Sequence, residues 1–404
     1  MNFLKPNSLQ SSNMELVERV LKYLHERRER NVAGKINCIP SPFPGFREAF
    51  VGIEKKTYYI VTANQKCAKT QFTSFMFLYH PLLYAYKHPD QLRVKFFVAP
   101  LEESKEQAVE RFIRYILYNC SGQKIRISPK ELSSTIEGEP LPQEILDLLD
   151  QEPYKGILEF FQDRVTFIDE KNPTGIYKQL VKYALEHGTR EQEEITIKNE
   201  FGVEEKVKRT IQYIPQDPEE YVILMIDHAG LLGQESGLSL RETIKKMSNY
   251  CMELRDTYSM CPVMIQQQSV ENQTIEAFKL VHIRPTVAGL ADCKDTRYDA
   301  TVMMGLSNPY AMEQKTFLGY DIFKLGDNQR FFEIMLDRWG MTNAIEALYF
   351  DGAVSYFAEM PAPNDTAAIE KVYAWIRGLR KPREKTHSFL IFSKIRQKLT
   401  GKNQ

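Results

Sequence analysis

The sequence predicts an α/β fold with a mostly parallel central sheet, an N-terminal helix and an inserted α+β segment. Between residues 58 and 119, short apolar runs alternate with helical stretches, which is typical of parallel strands joined by crossover helices. Apolar runs over residues 58–62, 93–98 and 221–227 are each followed by polar residues suited to phosphate or metal chemistry. Because parallel strands deliver such residues to one edge of a sheet, we expect a single site there.

Composition limits the class of protein. The 404 residues are 43% hydrophobic and 11% aromatic, which is enough for a large core. The 53 basic residues balance the 53 acidic ones, so any nucleic-acid surface must be local. The six cysteines lack C-x-x-C spacing and nearby histidine pairs, which argues against zinc and against a disulfide framework. With no signal peptide and no membrane-spanning stretch, we expect a soluble protein of a reducing cytoplasm.

Residues 1–34 predict a helix that precedes the sheet. Ser12 and Glu15 form a capping box, and the charged run 25–30 ends the helix. One face of the helix is apolar, formed by Leu16, Val17, Val20, Leu21 and Leu24. A proline-rich stretch follows, so the helix is attached through a linker. Two alternatives stay open: the helix folds back on its own domain, or it docks on a neighbouring subunit.

The remaining elements follow in order, within a domain predicted to span residues 35–360. The patterns predict strands over 58–62 and 93–98 and helices over about 70–87 and 103–119. Residues 122–220 predict a mostly exposed insertion with short helices, a strand at 165–168 and a hairpin turning near Phe201-Gly202. The core resumes with a strand over 221–227, a helix over 240–258, and strands over 262–265, 300–304, 331–336 and 347–350. Residues 361–404 form a basic tail that begins as a helix.

The segment after the first strand has the order of a phosphate-binding P-loop. Such a loop wraps phosphates with backbone N–H groups, while its Lys reaches the β and γ oxygens and its Ser or Thr holds Mg²⁺. Lys69 and Thr70 are present, but Ala63 and Ala68 stand where the pattern has glycine. An alanine is tolerated if φ is negative and is strained if φ is positive. The predicted nucleotide-binding residues are Ala63, Asn64, Gln65, Lys66, Cys67, Ala68, Lys69, Thr70 and Gln71.

Two carboxylates complete the predicted site. Asp227 ends a buried strand in the Walker B position and is predicted to bind Mg²⁺ together with Thr70. Glu102 follows the strand over 93–98. If that strand neighbours the first one, Glu102 lies beside the phosphate loop and can orient a water for attack on the γ-phosphoryl group. The alternative is that Glu102 caps the next helix.

Two further groups lie at strand ends. Gln266-Gln267-Gln268 follow the strand over 262–265, where a neutral amide can sense a γ-phosphate; a strand that ends in glutamine without a role is the alternative. Arg338 ends a late strand and can act as an arginine finger on an adjacent subunit, or be an ordinary surface arginine beside Trp339.

In this order, the residues resemble the RecA-like motor domain of DnaB-type replicative helicases, superfamily 4, in its divergent phage form. Leu101-Glu102-Glu103-Ser104 looks like the L-E-M-S segment of that family, whose Glu is the catalytic base. The run ending at Asp227 is similar to its Walker B strand, and the strand from Pro262 resembles the one that closes with the sensor glutamine, here Gln268. Asp299-Ala300-Thr301-Val302 looks like D-A-D-V, and Arg338-x-Gly340 matches part of K-x-R-x-G. The resemblance extends over most of residues 35–360.

The resemblance implies an ATP- and Mg²⁺-dependent helicase or translocase in DNA replication, with 5′→3′ polarity, in the host cytoplasm for a phage protein. Six subunits would form a ring around single-stranded DNA, with the N-terminal helix as linker and a primase or helicase loader as partner. The predicted DNA-contacting loops are 228–239 and 269–298, the second with Lys279, Arg284, Lys294 and Arg297.

The chain departs from the family in its P-loop alanines and in Leu336, which replaces the family's Lys. Two other functions therefore stay open. One is a RecA-like recombinase or other DNA-dependent ATPase that is not a helicase. The other is a catalytically weak RecA-fold protein that binds DNA or a replisome partner.

Overall fold

The computed structural model describes residues 8–198, 204–269 and 284–379. Its helices are α1 Ser8–Val32, α2 Lys69–Ser74, α3 His80–Lys87, α4 Lys105–Cys120, α5 Pro129–Leu132, α6 Gln143–Leu149, α7 Tyr154–Arg164, α8 Pro173–Glu186, α9 Leu240–Tyr258, α10 Ile322–Leu325 and α11 Thr366–Leu379. Its strands are β1 Ile39–Pro40, β2 Gly52–Ile53, β3 Tyr59–Ala63, β4 Arg93–Pro100, β5 Val165–Phe167, β6 Gly188–Lys198, β7 Glu204–Pro215, β8 Glu220–Asp227, β9 Cys261–Gln267, β10 Val302–Ser307, β11 Thr316–Phe317, β12 Tyr320–Asp321, β13 Gln329–Asp337, β14 Ala344–Asp351 and β15 Tyr356–Glu359.

A nine-stranded sheet organises the molecule, in the order β15-β14-β13-β10-β3-β9-β8-β4-β5. The six strands from β10 to β5 run parallel, and β13, β14 and β15 add an antiparallel edge. The predicted α/β class with a mostly parallel central sheet is confirmed. The carboxyl ends of β3, β9, β8 and β4 therefore meet at one edge, and the sheet's loops there carry the predicted site.

Alternation along the strands builds a core on each face of the sheet. In β3, Tyr59 and Val61 pack into the layer that contains α2, α4 and α7, whereas Ile60 packs on the other face with α8 and α9. Each of these side chains is at most 1% exposed. Burial of a large apolar side chain stabilises the fold by about 1.5–3 kcal/mol, so this register is strongly specified.

The helix predicted over about 70–87 is continuous but not uniform. α2 runs into a π-helical turn at Phe75–Tyr79, and α3 follows with Pro81 in its first turn. Because proline lacks an N–H and its ring clashes with the carbonyl of the preceding turn, an α-helix cannot pass through it unchanged. The wider π turn accommodates Pro81 and lets the helix continue.

The sheet does not meet the condition set for Glu102, and it corrects the prediction of an exposed insertion. β3 and β4 are not neighbours, because β9 and β8 lie between them. Residues 122–220 are not simply exposed decoration, because β5 extends the parallel sheet beside β4 and Ile176 and Leu180 of α8 are fully buried. The paired strands β6 and β7 form a sheet of their own, and the hairpin tip at Phe201-Gly202 lies outside the described residues.

The N-terminal helix starts four residues earlier than its predicted cap at Ser12. Its last turns are tied to the domain by Arg27, which pairs with Glu54 at 3.0 Å, and by Arg30, which pairs with Glu219. The apolar face is 49–57% exposed along its length, so the helix's own domain does not cover it. Over residues 8–198, 204–269 and 284–379, no helix has the length and apolar character needed to cross a bilayer.

Candidate nucleotide site

The loop after β3 has the geometry of a phosphate cradle. β3 ends at Ala63, and α2 begins at Lys69 with Ala68 as its N-terminal flanking residue. Ala63 lies in a regular strand, whereas Ala68 adopts φ 64° and ψ 38°, the left-handed region that favours glycine. The two alanine substitutions therefore differ: the one at 63 is unstrained, and the one at 68 is strained.

Lys69 is folded into this loop. Its Nζ donates to the backbone oxygen of Asn64 at 3.2 Å, and Asn64 is itself buried. Burial lowers the pKa of the Lys69 ammonium, and the neighbouring Cys67, Glu102 and Asp227 raise it. The partly buried Lys69 ammonium lies against the loop after β3, where it can bind phosphate oxygens.

A cavity of about 580 Å³ opens above the loop. It is lined by Lys69 and Thr70 from the loop, Glu102 from after β4, Gln267 from β9, and Arg330 and Phe350 from the antiparallel edge. The sequence places these residues far apart, and the common edge of the sheet brings them together. The cavity is large enough for a nucleotide.

Asp227 lies beside this cavity, next to Thr70, which is one of the lining residues. Its side chain is 6% exposed, and in the described part of the chain its Oδ1 is buried without a hydrogen-bond partner. Burial raises the pKa of Asp227 to about 6, while a hydrogen bond from Thr70 lowers it and the charge of Glu102 raises it. A buried carboxylate oxygen with no partner beside a threonine hydroxyl is a donor pair suited to Mg²⁺. The residues therefore fit a magnesium nucleotide.

Glu102 reaches the same place although β3 and β4 are not neighbours. β4 pairs with β8, and the backbone N–H groups of Leu101 and Glu102 donate to the Asp227 carbonyl at 2.8 and 3.2 Å. The alternative role as a helix cap falls to another residue, because Ser104 caps α4 in a capping box with Gln107. Glu103, in turn, pairs with Arg111. Glu102 is the carboxylate of this segment that lines the cavity.

The three glutamines at the end of β9 point in different directions. Gln268, to which the resemblance assigns the sensor role, is 2% exposed and donates to Thr62 Oγ1 at 2.9 Å and to the Thr286 carbonyl at 3.1 Å. Gln267 instead lines the cavity. Since side chains alternate along a strand, a shift of one residue decides which amide faces the nucleotide. The placement of Gln268 does not fit the sensor prediction.

Arg330 is a site residue that the sequence analysis missed. It is 2% exposed, and its Nε donates to the Cys67 carbonyl of the phosphate loop at 3.0 Å. Its guanidinium lies 4.3 Å from the centroid of the Phe350 ring and pairs with Asp327 at 3.1 Å. The available signal was a charged residue within the apolar run that follows Asp327. Arg330 braces the loop and presents a cation to the cavity.

Arg338 lies at the opposite edge of the sheet. It follows β13, which is antiparallel to β10, so the start of β13 reaches the cavity and its end leads away from it. Eight residues of strand separate Arg338 from Arg330, a distance of about 26 Å at 3.3 Å per residue. Its Nε donates to the Ala300 carbonyl at 2.8 Å. Arg338 does not reach the cavity of its own chain.

The predicted DNA-contacting residues are spread over one loop region. Lys279 lies outside the described residues. Arg284 pairs with Glu333, its Nε lying 2.9 Å from Oε2, and Arg297 lies over the Tyr298 ring at 4.6 Å. Lys294 is exposed. Their role in binding DNA stays a prediction.

No protein-family model and no curated protein sequence matches the chain. Solved structures do match its fold. The ATPase domain of G40P superimposes with a TM-score of 0.56 at 14% identity, over 85% of this chain and 99% of that one. A DnaB-like replicative helicase, solved in a study of its interactions with primase, gives a TM-score of 0.55 at 16% identity, over 85% of this chain and 67% of that one. The predicted RecA-like fold of DnaB-type motor domains is therefore confirmed.

Proposed function

We propose that this chain is an ATP-hydrolysing, ring-forming helicase or translocase that acts on single-stranded DNA in replication. The observation that carries the proposal is the meeting of Lys69, Thr70 and Glu102 at one cavity of nucleotide size, with Asp227 next to Thr70 beside it. These groups come from three separate strands of a fold shared with DnaB-like ATPase domains.

Each residue has a role that follows from its position. Lys69 binds the β- and γ-phosphate oxygens, and Thr70 and Asp227 hold Mg²⁺, which neutralises charge on the phosphates when bound. Glu102 accepts a proton from the attacking water. Arg330 keeps the phosphate loop in shape through the Cys67 carbonyl, while its guanidinium packs on the Phe350 ring.

Assembly is part of the proposal. Arg338 lies too far from its own cavity to take part there, so it is available to the cavity of an adjacent subunit. The uncovered apolar face of α1 supplies a surface for docking on a neighbour. A hexameric ring, 5′→3′ polarity and a primase or loader as partner come from the family resemblance, as does a location in the cytoplasm of a host cell.

A second candidate is a catalytically weak RecA-fold protein that binds DNA or a replisome partner. The strained alanine at position 68 favours it, because a left-handed backbone with a Cβ costs about 1–2 kcal/mol in the loop that must wrap phosphates. Against it stands the whole set of charged groups at the cavity. A RecA-like ATPase that forms filaments shares the same site and differs in particle shape on DNA.

The test is steady-state ATP hydrolysis with and without single-stranded DNA. We expect turnover stimulated by DNA in the parent, and a loss of about 10²–10⁴-fold in kcat for Glu102→Gln. Lys69→Ala should lose nucleotide binding as well. Glu106→Gln, an exposed carboxylate one turn further on, is the matched control and should behave as the parent. A folded parent without turnover would rule out the helicase and favour the binding protein.

A further inference from the structure

The outer two of the three glutamines at the end of β9 fix one segment of the chain. Gln266 Nε2 donates to the carbonyls of Ala291 and Cys293 at 2.7 and 2.8 Å. Gln268 donates to the Thr286 carbonyl and accepts from the Thr286 N–H, both at 3.1 Å. Both side chains are almost fully buried. They hold residues 286–293 against the sheet.

Gln267, the middle glutamine, has a different environment. It lines the nucleotide cavity, and its side-chain Nε2 lies 3.1 Å from Nε2 of His228. Nδ1 of the same imidazole accepts from the backbone N–H of Gly230 at 3.2 Å. Two hydrogen bonds thus connect a side chain in the cavity to the first turn of the segment that follows β8.

The protonation of the imidazole determines which group donates and which accepts in each of these hydrogen bonds. The Gly230 N–H is only a donor, so Nδ1 is the acceptor and the neutral ring carries its proton on Nε2. The amide atom of Gln267 that lies next to Nε2 is the nitrogen, which cannot accept, so the hydrogen-bond network requires the amide oxygen and nitrogen to be exchanged. In that orientation Nε2 donates to the amide oxygen of Gln267. The NH₂ group of Gln267 is left for an acceptor in the cavity, which suits a terminal phosphate oxygen.

The turn at Gly230 is closely packed. A Cβ at Gly230 would lie 3.1 Å from Asp292 Oδ2 and 3.2 Å from the His228 ring. His228 is itself half-buried. There is little room for the imidazole to move without moving the turn, because packed interiors transmit displacements.

We propose that His228 is a positioning residue that links the presence of a terminal phosphate at Gln267 to the conformation of the loop over residues 229–239. The inference rests on the proposed function. It assigns nucleotide sensing to the loop after β8, while the outer glutamines hold the segment at 286–293 in place. When the Gln267 amide donates a hydrogen bond to the phosphate, its displacement moves the His228 imidazole. Movement of the imidazole in turn moves the Gly230 turn.

Two substitutions each cut one of the two hydrogen bonds. In His228→Asn the amide stands where Nδ1 was, so it still accepts from Gly230 but no longer reaches Gln267. In His228→Gln the amide stands where Nε2 was, so it reaches Gln267 but no longer accepts from Gly230. A residue that merely stabilised the turn would be replaced well by Asn. A relay requires both bonds, so both variants should fail.

The measurement is kcat and KM for ATP with and without single-stranded DNA, together with DNA affinity in a non-hydrolysable ATP analogue and in ADP. Couplings between sites are typically about 5–150-fold, and we expect both the DNA stimulation and the analogue-to-ADP affinity ratio to fall to about 1–2 in either variant. KM should stay within about twofold of the parent, since Lys69 and Thr70 are unchanged. His187→Asn, an exposed histidine after α8, is the control and should retain the parent's ratios.

The outcomes separate the two proposals. If the parent shows DNA-stimulated hydrolysis and His228→Asn matches it, the relay is wrong and the proposed function stands. If the parent shows neither stimulation nor a nucleotide-dependent DNA affinity, both proposals are wrong. Loss of coupling in both variants, with urea unfolding midpoints like the parent's, supports the relay.

Discussion

At the scale of single residues, two alanines in one loop have opposite consequences. Ala68 holds a positive φ, and Ala63 lies in a strand and is fully buried. We predict that Ala68→Gly leaves the free energy of unfolding unchanged or raises it by up to ~1 kcal/mol, because strain is relieved while the unfolded chain gains freedom. Nucleotide affinity should not fall. Urea unfolding and titration with a fluorescent ADP check both.

Ala63→Gly is the matched control for that prediction. It removes a buried methyl group and places glycine in a central strand, which should cost about 1 kcal/mol or more. If Ala68→Gly destabilised the protein as much as Ala63→Gly, the left-handed geometry at position 68 would be refuted.

The site was only partly predictable at this scale. Lys69, Thr70, Glu102 and Asp227 could be located because each lies at the end of an apolar run or in the loop that follows it, where a parallel strand must end. The choice between Gln267 and Gln268 depends on a register of one residue, which adjacent identical side chains hide. Arg330 was missed because its importance comes from a strand, β13, whose neighbours are not readable along the chain.

At the scale of secondary-structure elements, β14 and β15 bring two carboxylates together. Burial, and to a smaller extent the charge of Glu359 on the next strand, raise the pKa of Glu346 to about 7. The folded-state pKa is therefore above the unfolded one. The protonated form favours folding, so this contribution is complete below about pH 4.5 and is lost as the pH rises through about 7.

We predict that Glu346→Gln, which cannot ionise, has a Tm equal to the parent's at pH 5 and higher at pH 8. The rise should be roughly 1–3 °C, kept small because the side chain is only half-buried. Differential scanning calorimetry across this pH range is the measurement. Glu137→Gln, at an exposed position, is the control, and its Tm should differ from the parent's by the same amount at every pH. A Tm difference for Glu346→Gln that does not change with pH would contradict the prediction.

The helix α1 yields a prediction about assembly. Leu21 and Leu24 are 51% and 55% exposed, so replacing both with Glu should change the urea unfolding midpoint little. Self-association should weaken strongly, because two charges would enter an apolar contact. Light scattering after size-exclusion chromatography measures the mass. Lys22→Glu on the same helix is the control, and parent-like assembly of the double variant would exclude α1 as the docking surface.

At the scale of the whole molecule, the fold class and most element positions could be predicted, but not the order of strands. Alternating apolar runs identify β3, β4 and β8, whereas nothing in the sequence shows that β9 and β8 separate β3 from β4. The strand predicted at 165–168 is β5, but its place in the main sheet comes from pairing with Phe96 and its neighbours, which the sequence does not show. Tertiary pairing decides such elements, not local preference.

Complete sites are predicted to form between subunits. Arg338→Ala leaves the Glu102 cavity intact, and Glu102→Gln leaves Arg338 intact, so each homogeneous protein should be inactive. In an equimolar mixture, about a quarter of the interfaces would join an intact cavity to an intact arginine, and hydrolysis should return to that extent. The assay is steady-state ATPase after subunit exchange. Activity that stays at the level of the separate variants would place Arg338 outside catalysis.

Arg330 lies near the start of β13 at its own cavity, and Arg338 directly follows the far end of the strand. In a ring, the nine residues of this strand would set the distance between one hydrolytic centre and the next. A paired strand barely stretches, so this interval would be the same at every subunit boundary, even while the loops facing the DNA rearrange. The length of β13 would then couple hydrolysis at one centre to the position of Arg338 at the next. Inserting two residues into β13 would displace Arg338 from the neighbouring cavity.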